Sequence, residues 1–184
     1  MSGWEAENAA AMRRYRAAMS NGRGRQFEAM VEGGCRYYAM KGRAKIEKMP
    51  EPFRVMKKSP QGIATVRFTA KAQPDYIGCI TGGAAIVFEA KYTDKDRLLQ
   101  KAVTPTQAAA LQEYQERGAI AAVCVGIGNE YFMVPWIVFQ SMKARFGRLY
   151  IKAGDVRAYR VKFDGNIRFL EYVSEEMGSI TGNL

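Results

Sequence analysis

Pro74-Asp75-Tyr76-Ile77-Gly78-Cys79-Ile80-Thr81-Gly82-Gly83-Ala84-Ala85-Ile86-Val87-Phe88-Glu89-Ala90-Lys91 reads as two strands joined by a tight turn. Thr81-Gly82-Gly83 is the turn, because paired glycines accept the positive φ that short hairpins demand, and apolar residues flank it on both sides. Along the second strand, side chains alternate between faces. Val87, Glu89 and Lys91 therefore point one way, and Ile86, Phe88 and Ala90 the other. This places a carboxylate and an amine about 6 to 7 Å apart on one face. Asp75, at the start of the partner strand, reaches the same place once the hairpin closes. Two carboxylates beside a lysine suit a divalent cation and a phosphate: hard oxygens hold the cation, and the ammonium meets the anion.

Glu-Ala-Lys by itself is common at the end of an exposed strand, where it signifies only solvation. The combination is more specific: Pro-Asp, a glycine turn, an apolar strand and then Glu-x-Lys. It resembles the PD-(D/E)xK motif of the restriction-endonuclease-like superfamily, and the match is literal at Pro74, Asp75, Glu89, Ala90 and Lys91.

The 184 residues, 48% of them hydrophobic, suffice for one core and a single domain. No window approaches eighteen consecutive apolar residues and the N-terminus lacks a secretory hydrophobic region, so a cytoplasmic protein without a membrane partner is expected. Cys35, Cys79 and Cys124 are odd in number, far apart and in apolar surroundings, as expected of reduced core residues. The absence of histidine excludes His-based triads, HNH-type nucleases and His-containing zinc sites. Hydrolysis would have to run on carboxylates, lysine and metal.

The net charge of +10 is unevenly placed: residues 1–25 carry +3 and residues 41–71 carry +7, while 26–40 and 72–184 nearly cancel at −1 and +1. Two concentrated basic segments are the footprint of a polyanion binder, and neither has the apolar stripe of a membrane anchor.

Residues 1–24 are expected to form a flexible basic arm: a marginal helix over 5–19, broken at Ser20-Asn21-Gly22 and followed by a linker holding Arg23 and Arg25. Residues 25–184 form the single nuclease domain. It opens on a helix from Arg25 to Lys41, with Phe27, Met30, Val31, Gly34, Cys35 and Tyr38 on its core side. Glu28 lies beside that stripe. It either points toward the site or simply complements the helix dipole in the first turn. Residues 45–73, with Pro50, Pro52 and Pro60, make a basic, proline-stiffened excursion with a Lys57-Lys58 tip. Its cations Arg54, Lys57, Lys58, Arg67 and Lys71 are candidate DNA contacts.

After Lys91 a polar, irregular stretch is expected. Thr104-Pro105-Thr106-Gln107 then opens a helix to about Arg117 with a capping box, which already gives Gln107 a structural role. Ile120–Ile127 reads as a strand buried on both faces, Tyr131–Val134 as another, and Pro135 as the start of one helix ending near Gly147. Arg157–Phe163 and Ile167–Val173 pair around Asp164-Gly165-Asn166, and the last residues look frayed. The fold class is α/β: a mixed central sheet flanked by helices, with a protruding basic stalk.

Residues 21–140 resemble the RecU-type Holliday junction resolvases of that superfamily. The resemblance rests on Gly22-Arg23-Gly24 with Phe27-Glu28, the basic excursion before Asp75, Asp75-Tyr76-x-Gly78, Phe88-Glu89-Ala90-Lys91, a helix opening on Gln107, and Tyr131-Phe132-x-Val134-Pro135. It implies a homodimeric endonuclease that cuts branched DNA with Mg²⁺, Mn²⁺ substituting, and whose stalk enters the junction. It also implies metal-site roles for Asp75, Glu89 and Gln107, and transition-state stabilisation by Lys91. Gln73 replaces the family's threonine two residues before the aspartate, which sets it apart from that metal-site pattern. The alanine-rich helix after Gln107 diverges as a phage or prophage homologue would. The alternatives are another nuclease on the same core, of restriction or phage DNA-processing type, or a non-catalytic DNA-binding module.

Overall fold

The computed structural model describes residues 3–50, 53–68 and 73–173. Helix α1 (Gly3–Met40) leads into strand β1 (Ala44–Lys48), followed by a hairpin of β2 (Phe53–Lys58) and β3 (Ala64–Phe68). Strands β4 (Tyr76–Ile80), β5 (Ala85–Thr93) and the two-residue β6 (Leu98–Leu99) precede α2 (Pro105–Glu116). Then come β7 (Ile120–Ile127), β8 (Glu130–Pro135), α3 (Trp136–Gln140), α4 (Met142–Phe146), β9 (Tyr150–Ile151), β10 (Val161–Phe163) and β11 (Ile167–Tyr172). The central sheet runs β1-β4-β5-β7-β8, antiparallel except for the parallel β5–β7 pair, so the expected mixed sheet is the one the chain builds. Among the described residues no helix is long and apolar enough to cross a membrane.

Strand alternation divides the core in two. Ile86, Phe88 and Ala90 of β5 join Ala122 and Cys124 of β7 on the side covered by Phe27, Val31, Cys35 and Tyr38 of α1 and by Ile167 and Phe169 of β11. Val87 joins Ala121, Val123 and Val125 on the opposite side, under Leu111 of α2, Trp136 and Phe139 of α3, and Met142 of α4. Glu89 and Lys91 share the face of Val87, so the sheet presents them toward α2.

The β4–β5 turn forms where the glycines called for it. Gly82 and Gly83 have φ of 104° and 99°, and the amide of Ile80 donates to the Ala84 carbonyl at 2.8 Å. The register sets Tyr76 opposite Phe88, their rings stacked at 4.8 Å, which brings Asp75 level with Glu89.

Several expectations are overturned. Ser20-Asn21-Gly22 does not break a helix: α1 is continuous for 38 residues, because a mid-helix glycine costs only about 1 kcal/mol against cooperative propagation from an anchored segment. The stretch after Lys91 is not irregular throughout, since β6 pairs with β9 and a 3₁₀ turn covers Gln100–Ala102. The helix after Pro135 is two short ones, divided where the Ser141 hydroxyl donates back to the Ile137 carbonyl at 2.5 Å. Residues Ala153–Tyr159 form two short 3₁₀ turns that meet at a kink at Val156, leaving only Val161–Phe163 as strand before the hairpin. Cys79 is exposed on β4, whereas Cys35 and Cys124 are buried and free as expected. The expectation of a frayed end concerns residues 174–184, which lie outside the described residues.

Close approach of α1 to β11 depends on Gly34, where a Cβ would collide with the Ile167 carbonyl oxygen and lie 3.1 Å from the Phe169 ring. Alanine normally favours a helix over glycine by up to about 1 kcal/mol, but backbone cannot move aside here. Gly34→Ala should therefore lower stability by about 1 to 3 kcal/mol, read as a lower urea midpoint. A raised midpoint would show that α1 slides freely over β11.

Candidate active site

Asp75 sits in the turn into β4, after a buried Pro74. Its carboxylate is oriented by a backbone group: the Ala90 amide donates to Asp75 Oδ2 at 3.0 Å. That amide belongs to the residue between Glu89 and Lys91, so Asp75 is tied to β5 itself. Lys91 Nζ donates to Glu89 Oε2 at 2.8 Å and to Asp75 Oδ2 at 3.3 Å. The two carboxylates thus converge on one ammonium.

Glu89 is 0% exposed. Gln107 Nε2 donates to its Oε2 at 2.5 Å, while its Oε1 has no partner. Gln107 does two jobs at once. Its Oε1 accepts from the Thr104 amide at 3.1 Å, completing the expected capping box of α2, and its amino group is left facing Glu89. A backbone N–H must meet an oxygen, so the cap itself fixes which amide atom faces the carboxylate. Gln107 is therefore placed as an orienting donor, not with an oxygen free for a cation.

Burial, then the neighbouring Asp75 charge, push the Glu89 carboxyl up to about 7, with Lys91 opposing them. Burial pulls Lys91 down, but the Asp75 and Glu89 carboxylates outweigh it and hold the ammonium above its usual range. Because Glu89 is raised in the folded protein, its contribution to stability is present in acid and is lost as pH rises through about 7. In EDTA, unfolding free energy should fall between roughly pH 4.5 and 7, and Glu89→Gln should flatten that slope. An equal slope in the variant would assign the titration elsewhere.

Glu28 is not joined to this group. Its carboxylate meets Lys48 Nζ at 2.7 Å, beside a Glu32–Lys48 contact of 3.0 Å, on the α1 side of the sheet. Gln73 is exposed and stands outside the hydrogen-bonded group. Among the described residues no third acid, cysteine or histidine completes a metal-holding cluster with the two carboxylates.

The candidate DNA contacts lie apart from the carboxylates. Arg54, Lys57, Lys58 and Arg67 are exposed on the β2–β3 hairpin, which among the described residues is a separate two-stranded sheet, and Arg54 stands directly opposite Arg67 in its register. Arg25 is exposed, Arg23 pairs with Asp94 at 3.3 Å, and Lys71 lies outside the described residues. The Ala90 amide escaped the sequence reading, since a backbone group carries no residue signal.

Among solved structures, the chain is similar to Hjc, a Holliday junction resolvase of the archaeal hyperthermophile Archaeoglobus fulgidus. That likeness is at 12% identity and a TM-score of 0.44, covering 68% of this chain and 88% of that one. No curated protein matches. The family model described as RecU, Recombination protein U, matches residues 22–175, a span holding the whole Asp75, Glu89, Lys91 and Gln107 group. The chain belongs to the RecU family.

Proposed function

We propose that this protein is a Mg²⁺-dependent endonuclease that resolves four-way DNA junctions as a homodimer in the cytoplasm. The observation that carries the reading is the convergence of Asp75, Glu89 and Lys91 at one point, in a member of a recombination family.

The residues fit a hard divalent cation. Two carboxylates converge where a positive group already sits, and a buried Glu89 oxygen lacks a partner. Asp75 and Glu89 would hold Mg²⁺, which keeps several waters and needs few protein ligands. When bound, the cation acidifies the attacking water and offsets charge on the phosphate. Gln107 and the Ala90 amide hold the two carboxylates in place. Lys91 meets the charge that builds on the non-bridging oxygens. With no histidine in the chain, no imidazole base is on hand, and the carboxylates of Asp75 and Glu89 are the groups that could take a proton there.

The β2–β3 hairpin supplies the structural selectivity. Opposed arginines are unfavourable unless an anion lies between or beside them, and phosphate serves. A two-fold dimer carries two stalks and two metal sites, matching the symmetry of a four-way junction. Replacing Lys57 and Lys58 with alanine should lower the salt slope of binding by roughly 0.9 per lost phosphate contact. Deleting residues 54–66 behind a short glycine linker should reduce the junction-to-duplex binding ratio and leave the carboxylates assembled. An undiminished ratio refutes the stalk's role. The parent test is incubation with a four-way junction and a matched linear duplex, in Mg²⁺ and in EDTA. Cutting of the junction in Mg²⁺ alone is expected, and equal cutting of both substrates would favour a general nuclease.

A further inference from the structure

We propose that a cleft on the opposite face of β5 from Lys91 receives one unpaired nucleobase of the branched DNA and so biases where the strand is cut. The proposal rests on the nuclease reading above and deepens it by naming a base-reading subsite. The cleft, of about 380 Å³, lies between α1 and the β7–β8 turn, and Arg23, Gln26, Tyr92, Asp94, Asn129 and Tyr131 line it. That volume falls in the range of small-ligand pockets.

Its position follows from the strand that carries the chemistry. Tyr92 follows Lys91 directly, and alternation turns it toward α1, with Asp94 two residues on. At about 3.3 Å per residue these are offset roughly 3 to 10 Å beyond Lys91 along β5, on the other face of the sheet, so a strand reaches the cleft by passing round the β5 end. The walls are fixed. The Gly128 amide donates to the Thr93 carbonyl at 2.9 Å, holding Asn129 level with the end of β5. Gly126 makes room for the Tyr92 ring, since a Cβ there would lie 2.6 Å from Tyr92 Cδ2. Phe27 backs both tyrosines, with centroids 5.7 Å from Tyr92 and 6.0 Å from Tyr131.

The lining chemistry separates a base from a phosphate. Arg23 is already paired with Asp94 at 3.3 Å, so an anion entering here would meet a carboxylate. A base edge carries donors and acceptors together, which the Gln26 and Asn129 carboxamides and the Arg23–Asp94 pair can answer. Tyr92 offers a ring on which a base can stack. Extruding a base costs a few kcal/mol, least where pairing is already disturbed, and the crossover is where the arms of the branched DNA part.

Gln26 and Asn129 are exposed and touch neither carboxylate nor Lys91, so Gln26→Ala/Asn129→Ala should fold, retain Mg²⁺-dependent cutting and lose the choice of site. Two readouts test the idea: emission of 2-aminopurine at the crossover of a junction held in EDTA, and cut-site distributions on junctions randomised around the crossover in Mg²⁺. The parent protein should change the emission saturably and favour its best base over its worst by roughly fivefold or more, falling below about twofold in the variant. Junction affinity by anisotropy should be unchanged. Equal emission responses, or equal base preferences, in parent and variant overturn the proposal, as does a parent with neither. A persistent, variant-sensitive emission change without any cutting in Mg²⁺ supports the subsite and sinks the nuclease reading instead.

Discussion

Glu89→Gln and Asp75→Asn should each reduce Mg²⁺-dependent junction cutting by at least about 10²-fold while leaving junction affinity in EDTA close to the parent's. The two properties separate because they reside on different residues. On the proposed reading, affinity would come from the exposed cations of the hairpin and of α1, and cutting would need the anionic oxygens facing Lys91. Glutamine at 89 keeps the volume and leaves an acceptor for Gln107, but removes the charge that holds a hard cation. Asparagine at 75 keeps an acceptor for the Ala90 amide, so the β4–β5 geometry survives. Both variants should therefore unfold cooperatively, like the parent. A Glu89→Gln protein that cuts at the parental rate would remove Glu89 from the site. One that loses junction binding as well would make the carboxylate structural.

What could be read from the sequence was local. The Thr81–Gly83 turn, the alternation that puts Glu89 and Lys91 on one face, and the Thr104–Gln107 capping box are each set within a few residues, and all three are present. The features that went astray depend on distant partners. Leu98–Leu99 is strand only because Tyr150–Ile151 lies beside it, and α1 ignores its glycines because Phe27 to Tyr38 lock it onto the sheet. Cys79 reads as core but is exposed on β4, one strand in from the β1 edge of the sheet. For the site, residue types and spacing gave Asp75, Glu89 and Lys91. They could not tell that Glu28 would be claimed by Lys48, nor that Gln107 would turn its amino group to Glu89, since both choices are made by side-chain partners across elements.

Lys91→Ala should cost on the order of 10² to 10³ in cutting rate, and its stability should depend on the cation in a way the parent's does not. Lys91 does not end its strand: β5 continues to Thr93, and the lysine side chain is 18% exposed and spans both carboxylates. Removing it leaves Asp75 and Glu89 facing each other without the charge that offsets them. Glu89 is already held near neutrality by burial and by Asp75, so losing its counter-charge favours the protonated form further. In EDTA at pH 8 the variant should therefore melt below the parent, and lowering the pH toward 6 should narrow the gap. Mg²⁺ should also narrow it, because a divalent cation replaces the missing positive charge. Lys91→Arg separates charge from geometry: it restores the EDTA stability, but a planar guanidinium in place of a compact ammonium should recover little of the rate. A Lys91→Ala protein as stable as the parent at pH 8 in EDTA, and cutting at the parental rate, would show that the ammonium is a bystander between two carboxylates that work without it.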